Sequence, residues 1–419
     1  MEKIKYKLKQ DGRWIYIRPF PEPELLKLIT DTFSYTKKGA EFMPNPAWAI
    51  VKLYQKGRGR LPIGLLHKLK QLFNFNDVLY ENLTHRSSLM RLKSKDKGLY
   101  NFQRSALRMT LLRNGGILQM PCGSGKSRTA IAVINTINVP TLVIVPTIDL
   151  VDQWKSRVSD NVHVRTYQGL KSKKYIKQFK LVIFDEVHRA GCRTIFKIGM
   201  NLNEKAITLG LSATPFMRDD DNLKVEGAVG SIIYKISLRE LITEGYLVDA
   251  LIHFHKLESM DTEYMDYPST VKTYIDNNIE RNGKIVELAE KSNGSVLILV
   301  NHIEHGNDLF NFLNALGEDV IFLNGGSKKR NEKMDHRIII ATSIFDEGID
   351  IPHLKHLIIA SGGKSAIRTT QRLGRVLRTF PGKDVAMVHD FADNCRWLKK
   401  HYLERRAIYE NDFEVTDCL

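Results

Sequence analysis

Along most of the chain, apolar residues fall in short blocks separated by polar stretches with helical spacing. Gly116-Ile117-Leu118-Gln119-Met120, Thr141 to Val145, Leu181 to Phe184 and Ala206 to Gly210 read as buried strands. Between them, Thr129 to Ile134 suits a helix packed on a sheet, and Leu150, Trp154 and Val158 recur at helical spacing. This alternation predicts a parallel sheet covered on both faces. A comparable series starts near Ser295, with strands at Val296 to Val300, Val320 to Leu323, Ile338 to Ile340 and Leu357 to Ile359. A helix carrying Leu309, Leu313 and Leu316 lies among them, and a polar stretch from Met260 to Asn293 reads as helical cover. Together these predict a second α/β domain. Cys395 to Leu419 reads as one helix and a ragged end.

The first 92 residues carry a different pattern. Trp14 to Ile17 reads as a strand, Pro23 to Ile29 as a helix start, and Ala47 to Tyr54 as a second strand. Gln55-Lys56-Gly57-Arg58-Gly59-Arg60 is a basic turn, and Leu61 to Leu66 opens another helix. The expectation is a small α+β module at 1–92, a linker through Lys93 to Gly98, and α/β domains at 93–248 and 249–419.

Charge narrows the partners. There are 63 Lys and Arg against 47 Asp and Glu, a net charge of +16. That balance favours a polyanion, either nucleic acid or an anionic membrane surface. No apolar stretch approaches the ~18 residues that span a bilayer, and the first residues resemble no secretory signal. Nucleic acid is the expected partner, in the cytoplasm. Cys122, Cys192, Cys395 and Cys418 form no C-x-x-C pair, which points to neither a disulfide framework nor a zinc site.

The candidate chemistry begins at Pro121-Cys122-Gly123-Ser124-Gly125-Lys126-Ser127. A glycine-rich turn between a strand and a helix lets backbone amides approach a polyphosphate. Lys126 would reach its β- and γ-phosphates, and the Ser127 hydroxyl would bind Mg²⁺. Met120 stands where the strict pattern has glycine. Asp185-Glu186-Val187-His188 follows its strand directly and so falls at the carboxyl edge of the sheet, where ligands bind in open α/β folds. Asp185 would hold Mg²⁺, and Glu186 would polarise the attacking water. In the second domain, Arg375 and Arg378 are three apart on what reads as one helix face, and suit the charge of a transferring γ-phosphate.

In this order the motifs resemble those of the superfamily 2 helicases and translocases. The series runs from Phe102-Gln103 through the phosphate loop, Pro146-Thr147, Asp185 to His188 and Ser212-Ala213-Thr214. It continues with Thr342, Gly348-Ile349-Asp350 and Gln371 to Arg378. Gly210 to Phe216, Ile242 to Leu247 and Gly363 to Arg368 are similar to the XPB and phage UvsW branch, as are Ala47-Trp48 and Leu61 to Leu66 in the module.

The resemblance implies two tandem RecA-like parallel-sheet domains that clamp ATP, preceded by a small N-terminal α+β domain. It makes Gln103 an adenine reader and puts Gly123, Ser124, Gly125, Lys126 and Ser127 around the phosphates. Gly348 and Asp350 fall at the ribose, and Gln371, Arg375 and Arg378 at the γ-phosphate. His188, Ser212 and Thr214 couple nucleotide state to the nucleic-acid track, and Thr147, Asn301 and Thr342 hold the nucleic-acid backbone. The implied activity is ATP-dependent unwinding or branch migration of forked and junction DNA, alongside replication or recombination proteins. An RNA helicase, the motor subunit of a restriction complex and a catalytically silent scaffold are the alternatives. In the module, Lys56, Arg58 and Arg60 could hold duplex phosphates, and Trp48 could stack on an unpaired base. Two departures from the family stand out: Tyr100-Asn101 replaces a frequent arginine before Phe102-Gln103, and the link from Asn324 to Arg337 is short.

Overall fold

The computed structural model describes residues 5–37, 39–73, 77–81, 92–93, 97–170, 172–188, 192–215, 222–258, 264–325, 335–342, 351, 353–363 and 372–418. Contacts divide the chain into two compact units, one of residues 1–120 and 125–236, the other of 237–419 with 121–124.

Among the described residues the first unit holds three sheets, one of them two-stranded. In the N-terminal module, β1 (Tyr6–Asp11), β2 (Trp14–Arg18), β5 (Arg60–Pro62) and β6 (Val78–Glu81) form a sheet in the order β5-β2-β1-β6. Strict alternation along β1 puts Tyr6, Leu8 and Gln10 inward, where Leu8 meets Ile15, Ile17 and Leu61. Between β2 and β5 the chain forms the helix Pro23–Thr32, with proline at its first turn, then β3 (Ser34–Thr36) and β4 (Ile50–Lys52) paired antiparallel. The strand expected over Ala47 to Tyr54 is thus shorter: Pro46–Ala49 forms a 3-10 turn, because Asn45 caps the Ala47 amide and proline opens the turn. The helix expected from Leu61 starts at Leu66, after β5 and a 3-10 turn.

The larger sheet of this unit is parallel throughout. It comprises β7 (Gly115–Gln119), β8 (Thr141–Val145), β9 (Val162–Thr166), β10 (Leu181–Asp185), β11 (Ile207–Ser212) and β12 (Ile232–Lys235), in the order β12-β7-β11-β10-β8-β9. Strands β8, β10 and β11 are buried along their whole length, which is what covering helices on both faces require. Register brings their carboxyl ends together: Asp185 pairs with Leu211, and Ser212 with Gln119.

The second unit has its own seven-stranded sheet. β13 (Asp249–His255), β14 (Val296–Leu299), β15 (Val320–Leu323), β16 (Ile338–Ala341), β17 (His356–Ile359), β18 (Val385–Phe391) and β19 (Glu414–Cys418) lie in the order β15-β16-β14-β17-β18-β13-β19. All their pairings are parallel. The ragged end expected after the last helix (Leu398–Glu410) is instead β19, an edge strand on β13. Its half-exposed Glu-Val-Thr-Asp-Cys sequence offers little apolar signal, and its order comes from backbone pairing.

Candidate ATP and coupling site

The phosphate loop follows β7. Gly123 and Gly125 adopt φ of 83° and 78°, left-handed values that favour glycine. At Gly125 space demands it too, since a Cβ would lie 2.4 Å from the Gln103 side-chain nitrogen. Gln103 is buried and accepts a bond from the Tyr100 amide at 3.1 Å, so the helix Asn101–Arg113 seats its amide against the loop. Ser124 Oγ donates to the Pro121 carbonyl at 2.6 Å, which closes the turn. Lys126 and Ser127 open the helix Lys126–Ile137, whose first amides carry the positive end of the helix dipole.

Asp185 is the last residue of β10 and is buried. Its Oδ2 accepts the Trp154 indole N–H at 2.7 Å, and its Oδ1 the Glu186 amide at 3.0 Å. Burial, and then the neighbouring Glu186 charge, raise its pKa to about 6, against the Trp154 bond and Lys126. Glu186 itself has φ of 46°, a conformation costing a non-glycine residue about 1–3 kcal/mol and typical of functional sites. This turn aims Glu186 Oε1 at Lys126 Nζ, 4.0 Å away, and Oε2 at His188 Nδ1, 3.3 Å away. His188 Nδ1 is also 2.7 Å from Ser212 Oγ, which accepts the Thr214 amide at 3.1 Å. Tyr167 donates its hydroxyl to the Asp185 carbonyl at 3.1 Å; burial, with Asp185 and Glu186 beside it, keeps that phenol protonated.

One edge of the six-stranded sheet therefore gathers Gln103, Lys126, Asp185, Glu186, His188, Ser212 and Thr214. Thr147 lies at the same edge, after β8, and its hydroxyl is buried without a partner. Helical spacing assigns Trp154 to the core; its indole bond to Asp185 is visible only once β10 and the helix Ile148–Lys155 are packed.

In the second unit, Asn301 and Thr342 follow the paired ends of β14 and β16. Asn301 donates to the Ser361 carbonyl at 3.1 Å, and Thr342 is buried. The helical stretch at 372–376 carries Arg375 but ends before Arg378, which bridges to Leu247. The two arginines therefore do not share a helix face, since the backbone turns into that bridge after Val376. Gly348, Asp350 and Gln371 lie outside the described residues, as does most of the Asn324 to Arg337 link. In the module Trp48, Lys56 and Arg58 are exposed, whereas Arg60 is half-buried. The Arg60 guanidinium lies 4.0 Å from the Trp14 ring centre and bonds Tyr16 and Gln55.

Residues 279–380 match the helicase conserved C-terminal domain, and 96–166 with 157–217 match the res subunit of type III restriction enzymes. The ATP-dependent DNA helicase UvsW of Enterobacteria phage T4 is 25% identical over 88% of this chain and 86% of its own length. The DNA 3'-5' translocase XPB2 of Sulfurisphaera tokodaii is 26% identical over 68% of this chain and 80% of its own. Among solved structures, a fragment of the HsdR subunit of a type I restriction enzyme from Vibrio vulnificus superposes with a TM-score of 0.60. It is 17% identical and covers 88% of this chain and 78% of that one, a likeness of fold. Among the described residues no helix is long and apolar enough to cross a membrane.

Proposed function

We propose that this chain, which its helicase family matches and helicase relatives mark as an ATP-dependent nucleic-acid helicase, translocates on DNA and unwinds or branch-migrates forked and junction DNA. The observation that carries the reading is the unbroken run Lys126–Glu186–His188–Ser212–Thr214, which joins a phosphate-binding lysine to the end of a neighbouring strand. The names of the phage and archaeal relatives, both DNA motors, favour DNA over RNA. The net charge of +16 suits any nucleic acid.

Lys126 and the amides of the loop hold the β- and γ-phosphates, and Gln103 reads the base. Glu186 orients the attacking water and accepts its proton. The buried Asp185 carboxylate and the Ser127 hydroxyl are hard oxygen donors that fit Mg²⁺, and burial of Asp185 is offset when a cation sits beside it. Bound there, Mg²⁺ would neutralise phosphate charge. Arg375 and Arg378 stabilise charge on the γ-phosphate in the transition state. His188 senses the state of Glu186 and passes it to Ser212 and Thr214, while Thr147, Asn301 and Thr342 grip the strand.

The test is ATP hydrolysis by the purified chain with single-stranded, duplex, forked and four-way DNA, and with RNA. DNA is expected to stimulate turnover, with ATP-dependent separation of forks. Greater stimulation by RNA, or none by any nucleic acid, would overturn the proposal.

A further inference from the structure

Between β3 and β4 the chain makes a thirteen-residue excursion, 37–49, that buries almost nothing at its tip. Phe42 is 86% exposed and Trp48 72%, with Met43 and Ile50 also at the surface. Large apolar side chains left together in water on one short tip mark a binding surface. The tip is nevertheless built. The Lys37 amide donates to the Ala49 carbonyl at 3.1 Å, and the Phe42 amide to Gly39 at 3.1 Å. Asn45 Oδ1 takes the Ala47 amide at 3.0 Å, the Asn45 carbonyl takes the Trp48 amide at 3.0 Å, and Ala40 and Ala49 are buried beneath. Pro44 and Pro46 fix two further backbone angles. The two rings are therefore presented on a preorganised backbone at little cost in ordering.

The module that carries the tip is fixed to the larger α/β part of the same unit. Arg13, in the turn between β1 and β2 and 6% exposed, donates to three carbonyls there: Gly199 at 3.2 Å, Ala206 at 3.1 Å and Ala228 at 2.8 Å. Lys68 pairs with Glu226. The Lys224 ammonium lies 5.6 Å from the ring centre of Tyr35, in β3 itself. At Gly64 the backbones touch, since a Cβ would lie 1.9 Å from the Glu226 carbonyl oxygen. A tip held this way moves with the first motor domain.

Charge selects the occupant. From 37 to 60 the sequence has six basic residues against one acidic, Glu41. Lys37 follows β3 and Lys52 ends β4, at the two feet of the tip, and Lys56 and Arg58 stand in the turn after β4; all four are exposed. Exposed aromatic faces in a segment this basic fit unpaired nucleobases and their phosphates, because every base offers a π-face. We propose that the 37–49 tip is a strand-separating pin, on which Phe42 and Trp48 stack unpaired bases at a DNA fork. This rests on the DNA-motor reading and adds its point of contact with the branch: as the motor draws on one strand, the fixed rings hold bases apart.

The test compares the full chain with F42A/W48A, W48F and R13A, using forks that carry 2-aminopurine at the first unpaired position. F42A/W48A is expected to keep its melting temperature and its single-strand-stimulated ATPase within about threefold, because both rings are exposed. It should unwind forks at least tenfold more slowly and lose the 2-aminopurine quenching seen with the parent. W48F, which keeps a ring, should retain most unwinding, and R13A should slow unwinding without weakening single-strand binding. If F42A/W48A unwinds forks at the parental rate and quenches 2-aminopurine as the parent does, the pin is wrong while the motor reading stands. Absence of DNA-stimulated hydrolysis in the parent would instead sink the motor reading itself.

Discussion

His188 Nδ1 lies 2.7 Å from Ser212 Oγ and 3.3 Å from Glu186 Oε2, so one imidazole touches both the carboxylate at the end of β10 and the hydroxyl that closes β11. A ring shared between these partners reports to β11 whatever displaces Glu186. Ser212→Ala or His188→Ala is therefore expected to keep most basal hydrolysis while reducing its stimulation by DNA about tenfold. Steady-state ATPase with and without single-stranded DNA checks this. An equal fall in both rates would place the pair in the chemistry rather than in coupling.

Lys126→Ala and Glu186→Gln should each lower turnover by about a hundredfold or more, because each removes a preorganised transition-state contact. Glu186→Gln should still bind nucleotide. A fluorescent ATP analogue titrated beside the hydrolysis assay separates the two effects.

Arg375→Ala and Arg378→Ala are expected to lower kcat more than they weaken nucleotide binding. Lysine should rescue either position poorly, since a point charge lacks the planar fork. If only DNA affinity falls while hydrolysis per bound complex is unchanged, the arginines belong to the nucleic-acid track. Their different settings, Arg375 within the helix and Arg378 at the Leu247 bridge, predict unequal losses.

The runs that read plainly in the sequence were those buried on both faces, such as β8, β10 and β14, where nothing polar interrupts the signal. β1 alternates Tyr-Lys-Leu-Lys-Gln-Asp and pairs with the adjacent β2 as well as the distant β6, whereas β19 has a single aliphatic residue and depends on β13, distant in sequence. Lys126, Asp185 and Glu186 were legible because glycines and strand ends fix them locally. Trp154, Arg60 and Phe42 were not. Whether an aromatic or an arginine is spent inside the fold or presented outside it depends on neighbours that periodicity does not contain.

A cluster of histidines on the second sheet makes stability depend on pH. His255 Nε2 lies 3.0 Å from His389 Nδ1, with His253 and His356 stacked alongside. Burial, then nearby Lys284 and His253, lower the His255 pKa to about 4. Burial, then His255, His253, His356 and Lys284, lower that of His389 to about 3; Asp390 and Glu287 pull His255 weakly the other way. Above the ordinary histidine value, near pH 6.5, folded and unfolded chains bind the same protons here. Below it the unfolded chain takes up protons that the fold excludes, so stability falls as pH drops, by up to about 1.4 kcal/mol per pH unit for each group. Urea unfolding of the full chain at pH 7.5, 6 and 5 should show the loss, and His389→Gln should flatten it. A parental profile that stays level down to pH 5 would contradict the assignment.

The strongest stability effect is expected at Arg405, in the last helix of the second unit. Its Nε and Nη2 donate to Asp390 at 2.9 and 3.0 Å, Nη2 also to Asp393 at 3.1 Å, and Nη1 to the Gly363 carbonyl at 2.7 Å. Arg281, fully buried beneath the Phe391 ring, holds the other oxygen of Asp393 and the Ala360 carbonyl. Tyr409 donates to Asp390 at 2.9 Å. Burial works against the Arg405 charge, but Asp390 and Asp393 more than offset it and hold its pKa above the usual arginine value. Removing the guanidinium would leave two buried carboxylates short of a countercharge, a loss of about 3–5 kcal/mol. Tyr409→Phe deletes one hydrogen bond to a charged group and should cost about 1.5–3 kcal/mol. Arg405→Lys restores the charge without the fork and should fall between Arg405→Ala and the parent. Urea midpoints of these variants give the order. Because Gly363 immediately precedes the segment leading to Arg375, Tyr409→Phe, mild enough to stay folded, should also lower ATP turnover slightly, whereas a purely local packing role would leave turnover at the parental value.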